Sequence, residues 1–386
     1  MKKHSFQNAA FYFLLTGIFF SPISAYFSIP LFLISFILLL FCKKKFKINL
    51  LDKLQLFLLL AIIISSLFGV YKKHSFYAGS AFLSYILAYF LGKELIKEEE
   101  QIKKFLNVVA LLITFVSAIG IIQYITKASF VYKGIPIITP MKEERITSVC
   151  HNPLILASLI LFCLPILASF AIEEKRFTFY WLAIILGTVA FFLTFSRGPT
   201  IALIISLLIL FFIKRKRVLA LAVFTILIGV TFLTPHLRWR FLNTFKDKND
   251  TNRIIGIKIG LKMWEEHSIY TGVGIHNYYL LCPKYSPSHK IGSPYVHNMY
   301  INFMVEAGII GLFALLLLFG GALKGSYENL NRKHTHKKWI SEALFSSFWG
   351  ILIHNFIDNT IYVVGLGLLF WIGMGIISGI QNKNLI

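Results

Sequence analysis

The chain has 386 residues, 57% of them hydrophobic, with a mean hydropathy of +0.72. Soluble domains use roughly 45–50% apolar residues, so a soluble fold has nowhere to hide this surface and the membrane becomes the main solvent. The formal net charge of +22 would suit a nucleic-acid binder, but most of it falls in connections that orient spans, and no nucleic-acid partner is expected.

A membrane span needs about 20 predominantly apolar residues. Such stretches fall near residues 8–25, 27–42, 53–70, 76–92, 105–126, 153–171, 178–195, 199–213, 218–234, 299–323, 339–356 and 360–380. They predict an all-α polytopic membrane protein with about twelve transmembrane helices, a single integral membrane domain over residues 1–386. The first stretch follows Lys2 and Lys3 as a signal-peptide core would, yet no small-residue cleavage site and soluble domain come after it. It is read as a retained span.

Alternate connections are rich in Lys and Arg: Lys43, Lys44, Lys45 and Lys47, then Lys93, Lys97, Lys103 and Lys104, then Lys175 and Arg176. The series continues with Lys214, Arg215, Lys216 and Arg217, and with Lys324, Arg332, Lys333, Lys337 and Lys338. The positive-inside rule puts these, and both termini, in the cytoplasm. The opposite face then carries short turns and two longer segments, residues 127–152 and 235–298. The second is basic (Arg238, Arg240, Lys246, Lys248, Arg253, Lys258, Lys262), which fits because long loops translocate largely regardless of charge, and it points to an anionic ligand. Within it, Asp250 and Thr251 are expected to cap a helix running to about Glu266, whereas Pro283, Pro287, Gly292 and Pro294 mark irregular chain.

The turn Phe195-Ser196-Arg197-Gly198-Pro199 joins two spans at the outer face. With Pro199 at the first helical position, free amides and the positive helix end point toward Arg197, where a phosphate would bind. An arginine there equally snorkels to lipid headgroups, and Arg197 taken alone supports either reading. Arg253 lies in the first turn of the loop helix and could grip a phosphate bidentately, although such arginines are commonly just solvated. His297, in Pro294-Tyr295-Val296-His297-Asn298 at the membrane edge, is the best candidate general base. His151, His267, His276 and His289 share its face, so histidine count cannot choose among them.

Glu306 is costly inside a span and is expected to face the bundle interior and orient an arginine or His297. Gly308 and Gly311 suit small-residue packing at least as well as catalysis. His354 and Asp358, one helical turn apart, can form a supporting pair. Cys42, Cys150, Cys163 and Cys282 have no metal-ligand spacing, and a Cys150–Cys282 disulfide stays open. There is no P-loop, DxD pair, HExxH or serine elbow, so no metal or cofactor is expected and the substrate must carry its own activation.

Three ordered segments resemble the O-antigen ligase and polymerase superfamily: Ser196-Arg197-Gly198; Arg253 with Trp264 and Gly272-Val273-Gly274; and His297-Asn298-Met299-Tyr300 with Glu306-Ala307-Gly308-Ile309-Ile310-Gly311. The resemblance covers about residues 145–360, and Arg145 before His151-Asn152-Pro153 resembles the family's preceding arginine segment without its usual glycine. It implies a metal-independent glycosyltransferase of the bacterial inner membrane, using an undecaprenyl diphosphate-linked glycan as donor. Arg197, Arg253 and Arg145 would hold the diphosphate at the periplasmic face. His297 would activate the acceptor hydroxyl, supported by Asn298, Glu306, His354 and Asp358. One dominant late loop favours a ligase with a lipid A-core acceptor over a polymerase or a protein O-oligosaccharyltransferase. A polysaccharide flippase would instead be expected to bury polar groups near the bilayer midplane, and a purely structural subunit leaves the three segments unexplained.

Overall fold

The computed structural model of the chain describes residues 2–42, 47–133, 135–173, 179–243, 248–286, 295–330 and 336–381. Lys43, Lys44, Lys45, Lys175, Arg176, Lys246, Pro287, His289, Gly292, Pro294, Arg332 and Lys333 lie outside the described residues.

Helices account for nearly all of the described chain. In order they are α1 (Lys2–Phe20), α2 (Ala25–Phe41), α3 (Leu50–Phe68), α4 (Lys72–Gly79), α5 (Ala81–Leu95) and α6 (Glu99–Thr126). After a small hairpin of β1 (Phe130–Tyr132) and β2 (Ile135–Ile138) come α7 (Pro153–Glu173), α8 (Phe179–Leu193), α9 (Arg197–Ile213) and α10 (Arg217–Leu233). The large loop contributes α11 (Pro235–Leu242), α12 (Lys248–Glu266) and α13 (Asn277–Tyr285), and the chain closes with α14 (Met299–Glu328), α15 (His336–His354) and α16 (Val364–Gln381).

Each of the twelve apolar stretches is helical, but the expected count of twelve spans is not met by length. Among the described residues six are long and apolar enough to cross a membrane: α3, the α4–α5 pair, α6, α7, α14 and α16, and a seventh arises if the bent pair α10 and α11 is one span. Four others, in α1, α2, α8 and α9, are apolar helices of 10–17 residues. At about 1.5 Å per residue these fall short of a hydrocarbon core about 30 Å thick. The chain is a multi-pass helical membrane protein with almost no sheet.

The centre of the bundle is α7 and α16, with 89% of each apolar window buried. Lipid tails give helices little hydrophobic reason to associate, so close backbone packing must do it. In α16, Gly375 and Gly379 supply that contact: a Cβ on either would lie 2.1 Å from the Tyr89 carbonyl oxygen or 2.5 Å from that of Lys93. The helices α5 and α16 therefore touch main chain to main chain.

Lys93 corrects the positive-inside reading at one position. Far from being a loop charge, it is fully buried and paired with Asp52, and its ammonium also donates to the Lys47 carbonyl at 2.7 Å. The Tyr89 hydroxyl lies 2.8 Å from both Asp52 Oδ1 and Ser378 Oγ, and Asn49 Nδ2 donates to the same Ser378 hydroxyl at 2.7 Å. The charges can be buried because both carboxylate oxygens have partners and the ammonium donates to two acceptors.

In the large loop, α12 starts at Lys248, so Asp250 and Thr251 sit inside its first turn instead of capping it. Pro283, expected in irregular chain, lies inside α13. The loop has a small apolar core of its own, where Ile259, Met263, Val273, Tyr278, Leu281, Cys282, Val296 and Val305 are buried together. Val296 immediately precedes His297, so this core fixes where the histidine emerges. All four cysteines are free and buried, which answers the open question of a Cys150–Cys282 bridge.

Candidate active site

The site is built where the first turn of α9, the N-terminus of α14 and the C-terminus of α15 meet the loop helices. The turn into α9 is sharp: Phe195 has φ of +46°, a left-handed conformation that a bulky residue adopts only when held there. Arg145 does the holding. Its Nε donates to the Thr194 carbonyl at 2.8 Å and its Nη2 to Ser196 Oγ at 2.9 Å. The 127–152 segment, whose arginine lacks the usual neighbouring glycine, is thus built into the base of the site.

Helix α9 begins at Arg197, with Ser196 as its N-cap, so Pro199 is the third helical residue and not the first. The physical argument survives the correction, because any of the first amides of a helix lacks an intrahelical acceptor. Arg197 Nη1 donates to the Arg240 carbonyl at 2.7 Å, which ties the α9 turn to α11. The Arg240 side chain in turn pairs with Glu143 at 2.7 Å. Arg145 is drawn down to about 10, first by burial and then by the charge of Arg240, with Arg253 and Arg197 adding to the repulsion and Glu143 opposing it. Three guanidiniums close enough to repel that of Arg145 make a place that favours an anion.

Arg240 is the member that sequence reasoning missed as a site residue. It appeared only as one basic residue of a basic loop. The available signal was Pro235, which starts α11 one residue after α10 and turns the chain by 87° back toward the α9 end.

His297 faces Asp358 across 3.2 Å, Nδ1 to Oδ1. An ionised carboxylate can only accept, so Nδ1 is the donor in this contact and Nε2 is the nitrogen left to face outward. Burial on its own would raise the Asp358 carboxyl, but the hydrogen bond from His297 and the electrostatic pull of His354, His297 and Arg253 beside it outweigh burial and hold the group below its ordinary value. The Asn359 amide also donates to Oδ1 at 2.8 Å. The His297 side chain is 26% exposed while Asp358 is 6% exposed, so the imidazole is the part that meets solvent or substrate.

Asn298 fixes the local backbone. Its side chain caps α14 by accepting from the Ile301 amide at 3.0 Å, and its Nδ2 donates to the Phe356 carbonyl at 2.9 Å. The Met299 amide reaches the carbonyls of both Asn355 and Asp358, at 3.0 and 3.1 Å. The start of α14 and the end of α15 are therefore stitched together around the His297–Asp358 pair. His354 is nearly fully buried, with Nε2 3.9 Å from Asp358 Oδ2.

Glu306 is fully buried in the bundle interior, as expected, but with a different partner from the one expected. It does not pair with His297 or an arginine. Its carboxyl accepts from the Tyr362 hydroxyl at 3.4 Å and lies by the backbone amides of His276 and Tyr278. Two residues later α14 breaks, at Gly308 with φ of +67° and ψ of −171°. The segment 269–274 fills the break: Val273 and Gly274 donate to the carbonyls of Val305 and Glu306, and Ile309 and Ile310 donate to those of Ile269 and Tyr270. A Cβ on Gly308 would lie 2.1 Å from the Tyr270 carbonyl oxygen, so glycine is required for approach as well as for conformation. The role of Gly308 is thus a helix break, beyond simple packing, and Gly272-Val273-Gly274 is the turn that satisfies it.

Three of the other candidate histidines lie elsewhere. His267 Nδ1 contacts the Met263 carbonyl at 2.8 Å, the His276 ring lies tilted with its centre 5.6 Å from that of His74, and His151 is exposed in a left-handed turn. Burial and the nearby His74 charge push His276 below its ordinary value.

Residues 182–316 match a family model described as O-antigen ligase. The match takes in Arg197, Arg240, Arg253, His297, Asn298 and Glu306, while Arg145, His354 and Asp358 lie outside it. No curated protein matches the chain. The matched segment carries the turn into α9, the loop helices and the start of α14, and the match supports a place for this chain in the O-antigen ligase superfamily.

Proposed function

We propose that this protein is a glycosyltransferase that moves a polysaccharide from undecaprenyl diphosphate to a hydroxyl of a lipid A-core acceptor, the reaction of an O-antigen ligase. The observation that carries the reading is the His297–Asp358 pair within electrostatic reach of Arg253, which in turn lies among the arginines gathered round Arg145 within and beside the matched segment. In the reaction the acceptor oxygen attacks the anomeric carbon and its proton passes to His297 Nε2. The bond from that carbon to the diphosphate oxygen breaks, its electron pair stays on the phosphate, and the configuration inverts.

Asp358 keeps Nε2 available as the base by holding the proton on Nδ1, and stabilises the imidazolium that follows. Arg197, Arg253 and Arg145 neutralise the charge that grows on the leaving diphosphate, Arg145 largely by bracing the α9 turn. This division of labour asks for no metal, because the guanidiniums supply the positive charge. Asn298 and Glu306 are assigned to shape: one caps α14, the other lies at its break.

The proposal includes twelve membrane passes, the shorter apolar helices crossing a locally thinner or tilted path, with both termini cytoplasmic and the site at the periplasmic face of the inner membrane. Membrane lipids are its surroundings, and the donor enters from them. A transporter would draw on the discontinuous helix α14 and on buried Glu306, since such breaks bind substrates in transporters. Here, however, the break is occupied by the chain's own residues 269–274, whose amides and carbonyls use its hydrogen bonds.

Deleting the gene tests the ligase assignment against the polymerase alternative. A ligase deletion yields core without attached O-antigen while long polymer accumulates on undecaprenyl diphosphate. Core capped by a single repeat unit would identify a polymerase and refute the assignment.

A further inference from the structure

The end of the bundle opposite the candidate active site carries a cavity that the proposed reaction does not use. Helices α9 and α14 start at the active site and α15 ends there; their other ends, together with the end of α7, enclose about 680 Å³. That volume falls within the roughly 300–1,000 Å³ of small-ligand pockets. An ion-paired lysine lines it. Lys214, the C-cap of α9, has a side chain only 3% exposed and sits 2.7 Å from Glu173 of α7 and 2.9 Å from Glu342 of α15. A buried ammonium needs such partners, and the three-way contact ties the ends of α7, α9 and α15 together around the cavity.

Three more cations line the same cavity: Arg215, Lys216 and Lys338. Among the described residues no carboxylate pairs with any of them, whereas the two lining carboxylates, Glu173 and Glu342, are both engaged by Lys214. The turn that carries two of the three is tight: Arg215 has φ of +56° and the Lys216 amide donates to the Phe211 carbonyl at 2.8 Å. Charges that only orient a span are solvated loop charges; these converge on one cavity, and their summed charge favours an anion there. Apolar side chains share the lining. Ile172, Ile213 and Leu330 are half-buried, and Tyr327, on the last turn of α14, is 58% exposed. A tyrosine at the end of a span belongs to the headgroup layer of a bilayer.

We propose that this cavity binds the headgroup of an anionic phospholipid from the leaflet opposite the active site, its phosphate held by Arg215, Lys216 and Lys338. Basic pockets between spans take such headgroups. Lys214 has a different part: its charge is spent on Glu173 and Glu342, and it fixes the frame in which the other three cations stand. The apolar share of the lining selects a lipid over a soluble phosphate, because a free anion gains nothing from Tyr327 or Leu330, whereas a phospholipid continues from its phosphate into apolar chains. The site is separate from the transfer chemistry, since the 17 residues of α9, about 25 Å of helix, stand between Lys214 and Arg197.

The test is native mass spectrometry of the purified protein released from nanodiscs that hold equal parts of phosphatidylglycerol and phosphatidylcholine with the same acyl chains. Wild type is expected to retain one phosphatidylglycerol in preference to phosphatidylcholine. Lys216→Gln combined with Lys338→Gln is expected to cut that preference by about tenfold or more. Lys103→Gln combined with Lys104→Gln removes two cations from the start of α6 that already pair with Glu99 and Glu100, and is expected to keep it. No loss in the first double variant, equal loss in both, or a wild type that retains the two lipids alike would overturn the site. Glycerol phosphate in excess is expected to leave the lipid in place; its displacing the lipid would reveal a site for soluble phosphates and overturn the lipid assignment. If the first double variant folds poorly, phosphatidylglycerol with a photoreactive headgroup tests the wild type itself. Crosslinks are expected within residues 213–217 and 338–342, and crosslinks confined to other segments would overturn the site.

Discussion

Two buried polar regions lie at opposite ends of α16, and they differ in how completely their atoms are satisfied. At the far end, Asp52, Lys93, Tyr89, Ser378 and Asn49 form a closed set in which the charges are paired and the oxygens occupied. At the near end, beyond the start of α16, the imidazole of His354 has no hydrogen bond among the described residues, the His297 ring is partly exposed, and three arginines repel Arg145. A closed network stabilises a fold; an open one stores electrostatic strain that a ligand can relieve. The two regions draw on similar residue types, so only their satisfaction tells structure from site.

The comparison predicts different failures at the two ends. The largest effect on turnover is expected from His297→Ala, which removes the proposed base: transfer should slow by about 10² to 10⁴ with normal membrane abundance and retained donor binding. Lys93→Met is the counterpart at the closed end. It leaves the Asp52 carboxylate buried without its ion pair, at a cost of about 3–5 kcal/mol, so folded yield and thermal stability should drop while turnover per folded molecule stays at the wild-type rate. A turnover defect in Lys93→Met with full stability would erase the distinction between the regions.

Smaller losses are expected from Arg197→Ala and Arg253→Ala. Removing one charge-assisted hydrogen bond costs about 1.5–3 kcal/mol, roughly ten- to a hundredfold in donor use, and Lys should substitute poorly if the grip is bidentate. Full activity in both alanine variants at normal abundance would exclude the diphosphate role. The smallest effect concerns acid. Because the Asp358 carboxyl is held below its ordinary value, its stabilisation is fully present above the unfolded value of about 3.9 and is lost as pH falls through the lower folded value. Unfolding measured from pH 7 down to 5 should therefore show no Asp358-dependent change, and Asp358→Asn should differ from wild type by a constant amount over that range.

Much of this was legible in the sequence because hydropathy and charge act locally. The twelve apolar stretches are helices, and Arg197, Arg253 and His297 stood out by their positions at helix ends and loop edges. What escaped depended on distant partners. Lys93 read as a loop charge because its partner Asp52 is 41 residues away. Glu306 read as an aid to His297 because nothing local reveals that α14 breaks at Gly308 and receives residues 269–274. The Gly272-Val273-Gly274 turn was visible, but the hydrogen bonds that it completes were not. Arg145 was matched without its usual glycine, and its use depends on Thr194 and Ser196, about fifty residues on, whose turn its guanidinium braces. The shortness of α8 and α9 was hidden for a different reason: apolar runs mark where chain enters lipid, not how many residues remain helical once a turn is strained.

The central claim is that this chain transfers lipid-carried glycan with His297 as the base. The most direct test incubates purified wild-type protein with an undecaprenyl diphosphate-linked glycan and a lipid A-core acceptor, and measures both products. The account predicts glycan on the acceptor and free undecaprenyl diphosphate in equal amounts, with both lost in His297→Ala. Equal product from wild type and His297→Ala would contradict it, as would wild-type protein that binds the donor and transfers nothing.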